Sequence, residues 1–151
     1  MNNIIEKLKN TRLLAGVGVA GLILGTIMPY AQYDFLGFKY SVTLFKYWQG
    51  TIILILTLAN FLFIFKDFAE KYVPVLFNNK IGSKIKNCSN PKFSLVLTIL
   101  LAIFVIYLTS ILEIDSFGSY RLGFYSMWVG VICLVAYAIL HKNIDEFQMK
   151  M

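Results

Sequence analysis

Four stretches of the chain contain no charged residue, and each is about as long as a membrane-spanning helix. They cover residues 13–33, 47–65, 93–112 and 122–140, and all eight Asp and Glu residues lie outside them. A helix needs about 20 mostly apolar residues to cross a bilayer. Backbone N–H and C=O groups in lipid must bond within their own segment, so each stretch is expected to be helical. The sequence therefore predicts an all-α membrane protein, a four-helix transmembrane bundle.

The composition agrees with lipid as the solvent. Hydrophobic residues make up 58% of the chain and charged residues 15%, against roughly 25% charged in a soluble domain. One domain of 151 residues, covering 1–151, cannot hide that much apolar surface from water. The net charge of +6 would suggest nucleic acid in a soluble protein. Here the basic residues lie between apolar stretches, so the lipid bilayer is the expected partner and nucleic acid is not.

The Lys and Arg residues are unevenly divided between the two ends of the predicted bundle. Eleven of the fourteen lie in the N-terminal arm, the loop 66–92 and the C-terminal tail. The positive-inside rule then places both termini and the basic loop 66–92 in the cytoplasm (N-in/C-in). We expect a multi-pass protein of the plasma (cytoplasmic) membrane. The first stretch follows a basic arm, as a signal peptide does, but it is long and Met28 to Tyr30 make a poor cleavage site.

The first loop outside the membrane alternates strictly between apolar and polar residues. Phe38, Tyr40, Val42 and Leu44 are apolar, and Lys39, Ser41 and Thr43 are polar. Period-2 alternation is typical of a half-buried strand, and a strand needs a partner. Residues 32–35 are the candidate partner in a short β-hairpin, with Gly37 in its turn; an irregular loop is the alternative. We expect the apolar set to press against the helix ends and the polar set to face a recognition partner.

Four helices, inside termini and strands in the first outer loop resemble the arrangement of claudin-like tetraspan proteins. Those proteins carry a Trp and a pair of Cys residues in that loop. The loop here contains no cysteine, and Trp48 starts the second helix. The resemblance is therefore one of architecture, and no residue role is carried over.

Small and polar residues inside the predicted helices mark candidate contacts. Gly18, Gly21 and Gly25 fall on nearly one side of the first helix, where small residues let two backbones approach closely. This face predicts packing within the bundle or contact with another chain. Asn60 is the one strong polar group deep in a span, and its amide predicts an interhelix hydrogen bond or a pore lining. Thr98 and Thr109 are expected to bond their own helix backbone.

Residues that could carry chemistry are scarce. Cys88 and Cys133 form no CxxC pair, and His141 is the single histidine, so neither a metal site nor a cofactor is expected. His141 is expected to lie near a helix C-terminus, where a cationic side chain interacts favourably with the helix dipole. A proton-coupled exporter needs a charge within a span, and none is present.

These observations predict a small non-enzymatic membrane protein that acts by protein–protein contact in the bilayer. It would be an accessory subunit or a homo-oligomer, with itself or another membrane protein as partner. The alternative is an oligomeric channel or pore lined by Asn60. A lipid-modifying membrane enzyme is a third class, supported only by segments that could lie at the interface.

Overall fold

The computed structural model describes residues 2–72, 91–111 and 118–148. The described chain is mostly helical and contains one small sheet. In chain order the elements are α1 Asn2–Ile27, β1 Pro29–Phe35, β2 Phe38–Thr43, a 3-10 turn Leu44–Lys46, α2 Trp48–Ile64, α3 Lys66–Tyr72, α4 Pro91–Ile111, β3 Gly118–Tyr120 and α5 Leu122–Gln148.

The four long helices pack in a ring. Helix α1 contacts α5 and α2, and α4 contacts α2 and α5. Gly18 lies against Leu134, whereas Gly25 lies against Met127, so α1 and α5 run antiparallel. The centre of the ring is filled by buried apolar side chains: Leu22, Ile53, Leu101, Val105, Met127 and Leu134.

Apolar side chains also cover the outside of this ring. Exposed ones recur every three or four residues along each helix. They are Leu13, Val17, Leu24 and Ile27 on α1, Ile55 and Leu58 on α2, Val96, Ile99, Ile103 and Ile106 on α4, and Tyr125, Val129, Ile132 and Ile139 on α5. The stretches Phe93–Ile111 and Leu122–His141 are long and apolar enough to cross a membrane, whereas Thr11–Ile27 and Trp48–Ile64 are shorter.

The predicted helix boundaries need three corrections. Helix α1 ends at Ile27, six residues before the predicted end of the first stretch at position 33, because Pro29 starts a strand. Proline lacks an N–H and disfavours helical backbone at the residue before it, here Met28. Helix α2 ends at Ile64, one residue before the predicted end at position 65, and a break at Phe65 separates it from α3. Helix α5 continues to Gln148 instead of ending near position 140.

Strands β1 and β2 form the hairpin that the alternating pattern indicates. They pair antiparallel from Phe35 and Phe38 outwards, so the loop between them is Leu36–Gly37. Both loop residues have positive φ, 51° for Leu36 and 84° for Gly37. Positive φ at both positions is the signature of a type I′ turn, whose twist matches that of the flanking strands. Gly37 adopts this backbone freely, but Leu36 does so against steric strain.

A third strand, which the sequence did not predict, completes the sheet. Strand β3 pairs antiparallel with β1, giving the order β2-β1-β3. Because β1 follows α1 and β3 precedes α5, this pairing brings both connections to the same end of the bundle. That end is called the sheet end below.

The predicted burial of the apolar face of β2 is only partly right. Leu44 is buried and Val42 is half-buried, but Phe38 is 82% exposed and Tyr40 is 60% exposed. Each strand residue advances the chain by about 3.3 Å, so a hairpin of this length reaches roughly 20 Å from its base. The base of the hairpin contacts α1 and α5, whereas the side chains from Phe38 to Ser41 in its outer half are exposed.

We predict that Leu36→Asn stabilises the protein by about 1 kcal/mol, because Asn tolerates the left-handed backbone that strains Leu. Thermal denaturation in detergent micelles, followed by circular dichroism, measures the effect. Leu36→Ala is the control, since it keeps the Cβ atom and therefore the strain. Equal stabilisation by Ala would contradict the backbone explanation.

Candidate functional site

The glycine face of α1 lies against α5. We call the contact formed by Gly18, Gly21, Gly25 and Gly130 the glycine seam. A Cβ atom placed on Gly21 would lie 2.9 Å from the Ser126 carbonyl oxygen and 3.0 Å from the Gly130 Cα atom. Such separations leave no room for a side chain. The helices therefore touch backbone to backbone, and this face is used inside the chain.

A hydrogen bond crosses the same seam. The Ser126 hydroxyl donates to the Gly21 carbonyl oxygen at 3.1 Å. Gly123 extends the close approach to the sheet end, since a Cβ atom there would lie 2.7 Å from the Met28 carbonyl oxygen. Gly123 lies in the first turn of α5. Its packing role follows from the fold alone.

Asn60 forms a second contact, between α2 and α4. Its Nδ2 donates to the Thr98 hydroxyl oxygen at 2.8 Å, and the Ser94 hydroxyl donates to its Oδ1 at 2.9 Å. Ser94 and Thr98 are four residues apart and so lie on one face of α4. All three side chains are buried. We call these three residues the polar clamp.

The polar clamp revises two expectations. Thr98 accepts a hydrogen bond from another helix, although it was expected to bond its own backbone. Ser94 was not identified from the sequence; its spacing from Thr98 in an apolar run is the signal that could have found it. Thr109 does bond its own helix, donating to the Val105 carbonyl oxygen at 2.8 Å. The role of Asn60 as a pore lining stays a prediction.

The predicted recognition residues lie on the opposite face of the hairpin from its aromatic side chains. Lys39 and Ser41 are exposed, and Thr43 is half-buried near the hairpin base. Across the ladder, Lys39 pairs with Asp34 and Ser41 pairs with Gln32. This polar face therefore carries one cation and one anion directly opposite each other. The three predicted residues are brought onto one surface, with Thr43 the least accessible of them.

Tyr30 lies in β1 and is buried, with 1% of its surface exposed. The register between β1 and β2 shifts at this residue, which turns its side chain into the bundle. Its ring meets Tyr120 and Phe124 edge-on, at centroid distances of 6.3 Å and 5.5 Å. Burial raises the pKa of Tyr30 to about 12, although neighbouring Thr109 opposes part of the shift. Its burial among these rings anchors the sheet to the helix ends.

His141 and Cys133, two further candidates for chemistry, both lie on α5. His141 stacks edge-on with Tyr137 and lies seven residues before the end of α5, so its expected place near a helix C-terminus is wrong. Cys133 is a half-buried free thiol, and Cys88 lies outside the described residues. Within residues 2–72, 91–111 and 118–148, no three His, Cys, Asp or Glu residues are grouped as metal ligands.

We predict that Gly21→Ala lowers the free energy of unfolding by about 1–3 kcal/mol, because the added methyl group forces the backbones of α1 and α5 apart. Gly16→Ala is the matched control on the same helix. A Cβ atom there meets Phe65 at an ordinary 3.8 Å, and Ala favours the helix by up to about 1 kcal/mol over Gly. Unfolding in mixed detergent micelles measures both variants. Equal losses would show that the glycine seam is not tightly packed.

We predict a coupling energy of about 0.5–2 kcal/mol between Asn60→Leu and Thr98→Val in a double-mutant cycle, because each variant removes one partner of the same hydrogen bond. The free energies of unfolding of the single and double variants give this value. Thr26→Val with Thr98→Val is the control pair, since Thr26 bonds the Ile23 carbonyl oxygen within α1. Additive effects for Asn60 and Thr98 would contradict the polar clamp.

Comparison of the chain with protein family models, with curated proteins and with solved structures finds no match.

Proposed function

We propose that this chain is an integral membrane protein that crosses the bilayer four times and acts through protein–protein contact. The exposed apolar side chains on all four long helices support the membrane placement. Soluble monomers rarely expose contiguous apolar surface on this scale. Around the helix ring, acyl chains would cover these side chains.

The two shorter helices are compatible with spanning. A helix of 17 residues, such as α2, is about 25 Å long, against about 30 Å for the hydrocarbon core. Local thinning of the bilayer and interfacial side chains accommodate a mismatch of this size at modest cost. Trp48 and Tyr47 are exposed at the start of α2, as interfacial aromatic residues are.

The direction of the helices supports an alternating topology. Helices α1 and α5 are antiparallel, as are α2 and α4, and the sheet holds both short connections at one end. Together with the excess of Lys and Arg elsewhere, these directions support our proposal that the sheet end lies outside and both termini lie in the cytoplasm. The plasma (cytoplasmic) membrane is the proposed location.

The packed interior is the main observation in support of a function through protein–protein contact. The glycine seam and the polar clamp close the two helix pairs, and the buried polar side chains of the described helices are Thr, Ser and Asn, without a charge. Transport and proton relay normally need such a charge. Since the Asn60 amide is bonded through both its oxygen and its nitrogen, we do not favour the pore. The remaining candidate for function is the surface, as in an accessory subunit or a homo-oligomer.

We propose that the polar face of the hairpin contacts the partner protein outside the membrane. The amine of Lys39 on this face allows the contact to be tested by crosslinking. A membrane-impermeant, amine-reactive crosslinker added to intact cells should join the chain through Lys39 to a partner, a second copy or another protein. Native mass spectrometry of the purified complex should give the stoichiometry of that pair. Lys39→Gln should reduce the adduct severalfold, because it removes the reactive amine.

Lys71→Gln is the matched control, since Lys71 is exposed on α3, which follows the end of α2 away from the sheet. It should leave the adduct unchanged. Loss of the adduct in Lys71→Gln would reverse the proposed orientation. A strictly monomeric mass without an adduct would overturn the contact function.

A further inference from the structure

The hairpin is amphipathic along its whole length, and its two faces are in different surroundings. Ala31, Tyr33, Val42 and Tyr40 share one face, because cross-strand partners point the same way. At the base this face is covered: Ala31 is buried, and Tyr33 packs against the helix core. Towards the turn it becomes open, with Tyr40 60% exposed.

The contacts at the base of the hairpin show which of its two faces is directed towards the helices. Since Ala31 and Tyr33 rest on the helix ends, their face of the sheet is directed towards the bundle. Towards the turn the same face carries Tyr40 and Phe38, and the turn itself holds Leu36, which is 84% exposed. The exposed apolar part of the hairpin, Phe38 and Tyr40 with Leu36 in the turn, thus continues the face that is covered at the base, and we call these three residues the overhang.

The neighbouring surface indicates what covers this overhang. Phe45, Tyr47 and Trp48 are exposed immediately after β2, so the aromatic surface continues from the hairpin to the start of α2. Tyr and Trp favour the interface between lipid and water, because the ring is apolar and its polar tip stays hydrated. An aromatic edge strand exposed to water would invite aggregation, and burial in the interface removes that hazard.

The opposite face has the chemistry of a surface in water. Lys39 and Ser41 are exposed there, and Asp34 lies across the ladder from Lys39. Apolar residues on one side and charged residues on the other are the pattern of elements that lie in the plane of a membrane surface.

We propose that the overhang binds the outer leaflet of the bilayer, with Leu36, Phe38 and Tyr40 inserted among the lipid headgroups and upper acyl chains. This inference rests on the proposed membrane placement. The inserted face holds the hairpin flat, so that Lys39 and Ser41 are presented to the aqueous phase at a fixed height. The lipid surface thereby orients the face that the proposed function uses.

Tryptophan quenching by lipid tests the insertion. Phe38→Trp and Tyr40→Trp are made separately in a background carrying Trp48→Phe and Trp128→Phe, and each protein is reconstituted in phosphatidylcholine vesicles. Lipids brominated at a shallow acyl position quench tryptophan that lies at the interface. Both variants should lose at least about twice as much emission as Ser41→Trp, the control on the opposite face. Iodide in the aqueous phase should quench Ser41→Trp more than either.

Trp48 as the sole tryptophan, with Trp128→Phe, separates the two proposals. Quenching of Trp48 by brominated lipid, without quenching at positions 38 and 40, overturns the lipid-bound hairpin and leaves the membrane placement standing. If positions 38 and 40 are then open to iodide, the hairpin stands in water; if they are protected from both quenchers, protein covers them. Failure of the lipid to quench Trp48 overturns the membrane placement itself.

Discussion

The contact between α1 and α5 at the glycine seam determines how the rest of the chain is arranged. Because Gly21 and Gly130 bring the two backbones together, the sheet end of α1 lies directly beside the start of α5. The strands next to those helices, β1 and β3, are then close enough to pair. In lipid, close packing of this kind replaces the hydrophobic effect as the force between helices. One seam of small residues thus explains both the tightest helix pair and the three-stranded sheet.

Several polar groups of the described helices are hydrogen-bonded either within their own helix or across a pair of packed helices. Thr57 donates to the Ile53 carbonyl oxygen in its own helix, as Thr26 and Thr109 do in theirs, whereas Asn60 bonds two residues of α4. An unpaired amide in an apolar interior would cost several kcal/mol. Since Ser94 and Thr98 supply both partners, the polar clamp fixes the register of α2 against α4 with neutral groups alone. The result is an interior built for packing.

The sheet connects the packed interior to the proposed surfaces. The register shift at Tyr30 places a buried tyrosine at its base, and the turn at Leu36 and Gly37 holds its far end. Between these points the alternation of β2 sorts aromatic from polar side chains. The helix bundle therefore positions the base of the sheet. What the aromatic and polar faces of the hairpin contact depends on the lipid, water or protein that surrounds them.

The mostly helical class, the approximate helix positions, the hairpin and the small-residue face of α1 could all be predicted from the sequence. Each depends on the hydropathy and size of residues that are close together in the chain. The sequence did not place β3, the partners of Asn60 or the burial of Tyr30, since each depends on residues distant in the chain. The prediction that Phe38 is buried was wrong for the same reason. Alternation in the sequence shows that the two faces of a strand differ, but the packing of the helices decides how much of the apolar face is covered. The period of the apolar residues shows which side chains share a face of a helix or strand, and tertiary packing decides what that face contacts.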